Sequence, residues 1–177
     1  MQKIPTLFQR DPEDFRRLLH EVHPDCEWVL NGEGVATRKY DGTCVMLDGD
    51  GMWWARREVK PGKPTPPGFV PVHTDDTTGK TVGWELVENS SFAKTFSPIS
   101  KEGLTPGTYE LCGPKVNKNP EGFGEHVLVS HAQAEQLPDA PRHYDDLAVW
   151  LKTHPYEGIV WHHADGRMAK IKARDFA

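Results

Sequence analysis

The sequence has few cysteines, no long apolar run and no excess of positive charge. Its three cysteines, Cys26, Cys44 and Cys112, include no C-x-x-C pair, so we expect neither a disulfide scaffold nor a four-cysteine zinc site, and we expect a reducing, cytoplasmic environment. No stretch approaches the roughly 20 apolar residues that a membrane-spanning helix needs, and the first residues lack an apolar signal core. These absences predict a protein with no membrane partner.

Positive charge is concentrated in short segments, although the chain is acidic overall, with a net charge of −5 from 21 basic and 26 acidic side chains. One basic segment covers residues 56–63 and another covers residues 167–174. Net negative charge argues against a protein that coats nucleic acid, but a local basic face can still bind a phosphate-rich partner. The alternative is that these cations are only solvated strand edges.

Length and hydrophobic patterning predict one α+β domain over residues 1–177, present as a monomer. The stretch 61–83 contains five prolines and four glycines, which predicts a loop. Helices are expected at residues 12–22 and 144–153, where apolar residues recur at helical spacing, with a short helix at 89–96. Alternating and β-branched runs predict antiparallel strands at residues 35–40, 43–47, 52–56, 108–112, 126–130, 159–162 and 168–173.

Four short motifs carry most of the chemical information. They are Lys39-Tyr40-Asp41-Gly42 (K-x-D-G), Tyr109-Glu110-Leu111, Glu157-Gly158-Ile159-Val160 (E-G-I-V) and Lys170-Ile171-Lys172 (K-x-K). Each is weak by itself, and a lone K-x-D-G is commonly a hairpin turn with a solvent-facing lysine. The order of all four along one chain is far more specific than any one of them.

In these residues the sequence resembles the covalent nucleotidyltransferase superfamily, which comprises DNA ligases, RNA ligases and mRNA capping enzymes. Lys39, Asp41 and Gly42 match its motif I, Glu110 its motif III, Glu157 to Val160 its motif IV, and Lys170 and Lys172 its motif V. The phrases RKYDGTC, YELCGPKVNKNP, EHVLVSHA and YEGIVWHHADGRMAKIKARDF are similar to the small 5′–3′ RNA ligase family found in vertebrates. The resemblance extends over residues 37–176.

The resemblance implies both a fold and a reaction. The fold would be the DNA/RNA ligase-type adenylyltransferase domain, unrelated to ATP-grasp, with antiparallel sheets flanked by a few helices. The reaction would be ATP-dependent sealing of RNA ends, which joins a 5′-phosphate to a 3′-hydroxyl through a lysyl-AMP intermediate. Because the chain ends soon after motif V, we expect no OB-fold, which favours an RNA ligase over a DNA ligase or a capping enzyme.

The resemblance also assigns catalytic roles that suit the chemistry of each side chain. Lys39 is the expected nucleophile. Lys170 and Lys172 would favour its neutral form and neutralise charge on the phosphates of ATP, so they are expected in both catalysis and cofactor binding. Glu157 suits Mg²⁺ or Mn²⁺, because such ions take oxygen ligands. Asp41 would orient the lysine or hold a metal-bound water.

The remaining contacts with ATP are expected near the same motifs. Glu110 suits a ribose hydroxyl, because a carboxylate accepts hydrogen bonds, and Gly42 belongs to the motif I contact set. Arg56 would replace the arginine that many ligases place shortly after K-x-D-G. Phe123 is the candidate to stack on the base, and Arg38 would meet the base through its main chain.

Three alternatives stay open from the sequence. Arg57, next to Arg56, could supply the arginine contact. A capping-type guanylyltransferase would use GTP in place of ATP. A non-catalytic nucleic-acid-binding module could retain the ligase fold without forming a covalent nucleotide adduct.

Overall fold

The computed structural model describes all 177 residues as an α+β protein made mostly of antiparallel sheets with few helices, which confirms the predicted class. None of its helices combines the length and the apolar character needed to cross a membrane. The strands are β1 (Phe8–Arg10), β2 (Leu18–Val22), β3 (Val35–Lys39), β4 (Thr43–Leu47), β5 (Trp53–Val59), β6 (Val70–Thr74), β7 (Thr81–Leu86), β8 (Gly107–Cys112), β9 (Val127–Ser130), β10 (Gly158–His162) and β11 (Met168–Lys172). The helices are α1 (Glu27–Leu30), α2 (Ala93–Phe96) and α3 (Tyr144–Thr153), with short 3-10 helices at Pro24–Cys26, Val87–Asn89, His131–Gln133 and Ala173–Phe176.

The chain divides into two compact units. The six-stranded unit comprises Met1–Lys3 and Asp41–Gln133, and the three-stranded unit comprises Ile4–Tyr40 and Ala134–Ala177. The boundary falls inside the K-x-D-G motif, after Tyr40. The motif therefore contributes its lysine to one unit and its aspartate and glycine to the other.

The six-stranded unit is built on one sheet, with strand order β6-β7-β5-β4-β8-β9. One face of this sheet packs on a hydrophobic core that includes Val45 of β4, Ala55 of β5 and Leu111 of β8. Because successive side chains of a strand point to opposite faces, Glu110 and Arg56 lie on the other face. The structure thus separates a packing face from a face that carries candidate site residues.

The three-stranded unit is built on a sheet with strand order β11-β10-β3, next to the small β1-β2 sheet. Ile159 and Trp161 of β10 are fully buried in its core together with Leu147 of α3. The ends of α3 agree with the predicted helix 144–153, whose apolar stripe is the buried side. The opposite face of this sheet carries the lysines of motifs I and V.

The predicted helix at residues 12–22 is wrong. The Asp11 carboxylate accepts a hydrogen bond from the Glu13 amide at 2.9 Å, which starts a turn and competes with helical bonding. The chain then enters β2, where Leu18 pairs with Arg10 of β1. Phe15, one member of the predicted apolar stripe, is 63% exposed, so pairing with β1 outweighs the helical pattern.

The segment 61–83, predicted as a loop, contains β6 and the start of β7. Every residue of β6 is exposed, and the strand lies at one edge of its sheet. Pro71 is compatible with this position, because an edge strand does not need every amide for the ladder. The prediction of a loop is therefore wrong for Val70–Thr74, which form an edge strand.

The other predicted strands are confirmed within a few residues at each end, and β4 matches its predicted range. All three cysteines are buried and none forms a disulfide, with Cys26 in the three-stranded unit and Cys44 and Cys112 in the six-stranded unit. Burial, and then the nearby Asp25 carboxylate, raise the pKa of the Cys26 thiol to about 11.

Candidate active site

The register of the three-stranded sheet places the motif I and motif V lysines on one face. Lys39 of β3 lies opposite Gly158 of β10, and Gly158 lies opposite Lys172 of β11. The strand spacing puts the backbones of the two lysines roughly 10 Å apart. Lys170, two residues before Lys172, shares the same face, because side-chain direction repeats every second residue.

Gly158 lies at the centre of this row and has to be glycine. A Cβ atom there would lie 2.0 Å from the carbonyl oxygen of Ile171, which is backbone and cannot move aside. The glycine of the E-G-I-V motif therefore allows the close approach of β10 to β11.

Glu157 joins the two lysines directly. Its Oε2 lies 2.7 Å from Lys39 Nζ, and its Oε1 lies 3.0 Å from Lys172 Nζ. The three side chains are only 14–20% exposed, so water screens these charges less than on an open surface. The structure brings together the predicted nucleophile, the predicted metal contact and one predicted phosphate-binding cation.

The backbone at Lys172 is held by a buried carboxylate. Asp175 Oδ2 accepts a hydrogen bond from the Lys172 amide at 2.9 Å, and Asp175 Oδ1 accepts one from Arg10 at 2.8 Å. Asp175 is 7% exposed, so the Arg10 cation balances a charge that would otherwise be costly to bury. Neither Arg10 nor Asp175 is among the site residues predicted from the sequence. Asp175, three residues after Lys172, has the spacing of a helix cap.

A metal ion would find one acidic ligand in this cluster. No group of three or more His, Cys, Asp or Glu side chains is arranged to hold a metal ion. Mg²⁺ nevertheless needs only one or two carboxylates when water and substrate phosphates complete its shell, and Glu157 fits that requirement. A cation on Glu157 would compete with Lys39 and Lys172 for its two oxygens.

Arg38 lies on the opposite face of β3 from Lys39. Its guanidinium carbon lies 4.6 Å from the ring centre of Tyr40 and 4.7 Å from that of Tyr156, and it pairs with Glu135 at 3.6 Å. Its amide donates to the Glu135 carbonyl at 2.8 Å. The structure therefore does not bring the side chain of Arg38 to the lysine face.

In the six-stranded unit, Glu110 is held by a histidine. His131 Nε2 donates to Glu110 Oε2 at 2.8 Å, and His131 Nδ1 contacts the Thr108 hydroxyl at 2.8 Å. The other carboxylate oxygen of Glu110 accepts from the Gly42 amide at 3.2 Å. Each oxygen has two lone pairs, so Glu110 keeps the capacity to bind a hydroxyl group. His131 follows β9 in the phrase EHVLVSHA, and no spacing rule in the sequence indicated it.

The Asp41–Gly42 turn is held by side chains from the loop that follows β8. Asn117 Nδ2 donates to Asp41 Oδ1 at 3.0 Å and to the Gly42 carbonyl at 2.9 Å, and Glu121 Oε1 accepts from the Asp41 amide at 2.8 Å. Gly42 also needs its lack of a side chain, since a Cβ would lie 2.2 Å from the carbonyl oxygen of Leu111. Both predicted motif I residues of this unit are thus fixed by neighbours.

The same loop contains Phe123 and an unusual backbone. Three successive residues, Asn117, Lys118 and Asn119, have φ angles of 49°, 63° and 55°. The left-handed region costs a side-chain-bearing residue about 1–2 kcal/mol, although asparagine tolerates it better than most. Phe123 is half-buried, and its amide and carbonyl are both bonded to the side chain of Asn119.

The register of β5 separates the two candidate arginines. Arg56 lies on the face of Glu110, opposite Trp84 of β7, whereas Arg57 points to the other face. There Arg57 pairs with Glu85, a side chain that is only 5% exposed, at 3.4 Å. Arg56 is therefore the arginine that shares a sheet face with Glu110.

Comparison with known proteins supports the RNA ligase part of the resemblance. The family model described as RNA ligase 1 matches residues 87–176, just over half of the chain. The RNA ligase 1 of Pongo abelii is 29% identical over 149 aligned positions, which cover 67% of this chain and 45% of that protein. That of Rattus norvegicus is 27% identical over 214 positions, covering 77% of this chain and 65% of that protein.

A further relative, RNA ligase 1 of Danio rerio, is 25% identical over 259 aligned positions, covering 96% of this chain and 79% of that protein. The chain spans between 45% and 65% of the length of the two mammalian relatives. The family model covers the region of Glu110, Glu157, Lys170 and Lys172. The chain belongs to the RNA ligase 1 family.

Proposed function

We propose that this chain is an ATP-dependent RNA ligase that joins a 5′-phosphate to a 3′-hydroxyl through a covalent lysyl-AMP intermediate. The observation that carries the proposal is the contact of Glu157 with both Lys39 and Lys172, which unites residues of three motifs. Family membership supports the RNA substrate, because the relatives are named RNA ligases.

Lys39 is the proposed nucleophile. An ammonium nitrogen has no lone pair, so Lys39 must leave its ion pair with Glu157 and pass its proton to water before it attacks. The nitrogen then bonds to the α-phosphorus of ATP, and pyrophosphate departs with the electrons of the broken P–O bond. The product is a phosphoramidate between Lys39 and AMP.

Lys172 and Lys170 are the proposed phosphate-binding cations. Their side chains share the face of Lys39, and positive charge placed beforehand at developing phosphate charge lowers the barrier without later reorganisation. Glu157 keeps Lys172 close to the nucleophile until the phosphates of ATP replace the carboxylate. This exchange gives the contact of one carboxylate with two lysines a role in the proposed reaction.

The later steps return Lys39 to its starting state. The 5′-phosphate of RNA attacks the phosphorus of lysyl-AMP, the P–N bond breaks, and Lys39 recovers a proton. The 3′-hydroxyl of the other end then attacks the activated 5′-phosphate, AMP leaves, and a phosphodiester forms. Lys170 and Lys172 are proposed to balance charge on the transferred phosphates in both steps.

The six-stranded unit is proposed to supply nucleotide contacts. Glu110 is assigned to a ribose hydroxyl, and Arg56, on the same sheet face, to a phosphate or ribose oxygen. Gly42 is assigned to the nucleotide through its backbone, and Phe123 stays the candidate for the base. A base contact by the Arg38 main chain would fall on its carbonyl, because its amide already donates to Glu135.

Glu157 is the proposed ligand of Mg²⁺ or Mn²⁺, which would supply charge neutralisation on the leaving pyrophosphate. Asp41 is assigned as an orienting or water-holding carboxylate. The hydrogen bond from Asn117 to its Oδ1 fixes the direction of this carboxylate and leaves it capacity for such a contact.

The test is covalent labelling. Purified protein is incubated with each α-labelled NTP and Mg²⁺ or Mn²⁺, denatured, and examined for label, then supplied with RNA bearing 5′-phosphate and 3′-hydroxyl ends. Label from ATP alone, followed by sealing, is the expected result. Label from GTP would instead indicate a capping-type guanylyltransferase. RNA binding without any label would indicate a non-catalytic module.

A further inference from the structure

The loop at residues 113–123 is built as a support for the K-x-D-G motif. Val116 anchors it in the core of the six-stranded unit, where it is fully buried. The Lys115 amide donates to His126 at 3.1 Å, and the side chain of Asn119 closes the loop on Phe123. The loop therefore has a fixed structure of its own, and the side chains that point away from it are held in fixed directions.

Those outward contacts go to two residues, Asp41 and Gly42. Asn117 contributes one hydrogen bond to the Asp41 carboxylate and one to the Gly42 carbonyl, and Glu121 receives the Asp41 amide. An amide NH₂ carries two donors, and Asn117 uses its nitrogen for both contacts. It thereby links the orientation of the Asp41 side chain to the backbone conformation at Gly42.

The backbone of the loop is strained where these contacts are made. Asn117 has a φ of 49° and Lys118 has a φ of 63°. Lys118 is exposed, and lysine does not favour a left-handed backbone conformation. Strained backbone persists only when its surroundings fix it, and it is concentrated at functional sites. The run of left-handed residues aims Asn117 at the Asp41–Gly42 turn.

We propose that Asn117 is a positioning residue for motif I, which orients the Asp41 carboxylate and holds the turn that follows the nucleophile. This inference rests on the proposed function, because it concerns the rate at which Lys39 takes AMP. Asn117 acts through Asp41 and does not itself touch the nucleotide. Its loss should therefore slow adduct formation, and most of this effect should disappear once the Asp41 carboxylate is removed, because only the bond to the Gly42 carbonyl then remains.

The test compares Asn117→Gly with Lys118→Gly. Glycine accepts a positive φ at either position, so both variants relieve the same kind of backbone strain, but only Asn117→Gly removes the side-chain donor. Adduct formation with labelled ATP, measured in a single turnover, should fall about 10- to 100-fold for Asn117→Gly. It should stay within about 2-fold of wild type for Lys118→Gly.

Asn117→Asp sharpens the comparison. Aspartate also tolerates left-handed backbone, but it replaces a donor with a carboxylate facing Asp41, so its loss should equal or exceed that of Asn117→Gly. Asp41→Ala combined with Asn117→Gly should be slower than Asp41→Ala alone by much less than the loss that Asn117→Gly causes in the wild-type chain, because only the bond to the Gly42 carbonyl remains to be lost. Additive losses would show that Asn117 acts independently of Asp41 and would overturn the proposal.

Two further measurements separate the outcomes. Hydrogen exchange at the Asp41 and Gly42 amides should accelerate in Asn117→Gly while the melting temperature does not fall below that of Lys118→Gly. A lower melting temperature with normal labelling of the folded fraction would make Asn117 structural and overturn the inference, as would an unchanged labelling rate. A wild-type chain that forms no adduct would overturn the proposed function and the inference together.

Discussion

The two units hold their charged residues by different means. In the three-stranded unit, Lys39 and Lys172 lie opposite the same residue, Gly158, on either side of β10, and register puts them on one face. In the six-stranded unit, Asp41 and Glu110 are oriented by individual side chains, Asn117 and His131, that come from loop or 3-10 segments. The three-stranded unit orients these charged residues by strand geometry, whereas the six-stranded unit orients them by individual side-chain contacts.

This difference suggests a division of labour. A ladder is rigid and cooperative, because a register change would reverse every side chain on the strand, so it suits groups that must meet the reacting atoms. Side-chain contacts can be altered singly, so they suit groups that set which nucleotide or strand is accepted. Changes in the three-stranded unit should remove the chemistry, whereas changes in the six-stranded unit should slow it or alter recognition without abolishing it.

The largest expected effect is at Lys39. Lys39→Ala and Lys39→Arg should abolish the ATP adduct, at least 1,000-fold by rough estimate, because alanine has no nucleophile and a guanidinium stays protonated. The measurement is label retained on denatured protein. Lys152→Ala is the matched control, since Lys152 is an exposed lysine of α3 in the same unit. Persistent labelling of Lys39→Ala would assign the nucleophile elsewhere.

Glu157→Gln should have the next largest effect. Glutamine keeps the shape but not the charge, so it weakens the hold on Lys39 and Lys172 and removes a metal ligand. We expect adduct formation to slow by roughly 100- to 1,000-fold. Because the three side chains are mostly buried, the free energy of unfolding should also fall by about 1–3 kcal/mol. A chemical denaturation curve measures this second effect, and loss of stability without slower labelling would make Glu157 structural.

His131→Ala tests the proposed role of the six-stranded unit in nucleotide recognition. The change frees the Glu110 carboxylate from its partner, so we expect the preference for ATP over 2′- or 3′-deoxy-ATP to fall by about 10-fold, the equivalent of one hydrogen bond to a charged group. Competition labelling measures the preference. Thr108→Val, which removes only the outer partner of His131, should give a smaller change. A loss of all labelling comparable to Lys39→Ala would break the proposed division between the units.

The smallest expected effect concerns the basic segment of the six-stranded unit. Lys60 and Lys63 are exposed, and reversing both charges should weaken RNA sealing by about 3- to 10-fold at low salt while leaving the ATP adduct intact. The double reversal at Lys94 and Lys152, two other exposed lysines, changes net charge equally and is the control. Equal losses in sealing and labelling, or equal sealing of all-DNA nicks, would contradict this assignment.

The contrast between the units also explains what the sequence could predict. The lysine face was predictable, because the order of K-x-D-G, E-G-I-V and K-x-K identified its members and strand alternation placed them together. The segment 43–47 and the helix 144–153 were predictable because local pattern and tertiary packing agree there. Predicting the contact of Lys172 with Glu157 required only the strand register in addition.

The failures occur where long-range contacts decide the structure. Residues 18–22 have a helical apolar pattern, but pairing with β1 makes them a strand. The path of β6 is set by β7, its neighbour in the sheet, and proline content gave no sign of that pairing. Asn117 and His131 act through side-chain contacts to residues 76 and 21 positions away, Asp41 and Glu110, for which the sequence carries no periodic signal.

The buried cysteines can report the opening of each unit separately, through their rates of modification. A thiol reacts with alkylating reagents only as an exposed thiolate, so Cys26, fully buried and with its pKa raised to about 11, can be modified only when the three-stranded unit opens. Cys44, paired across strands with Glu110, and Cys112 report opening of the six-stranded unit. Modification rates at the three positions, resolved by mass spectrometry, would therefore measure the opening of each unit in the native sequence, with no engineered label.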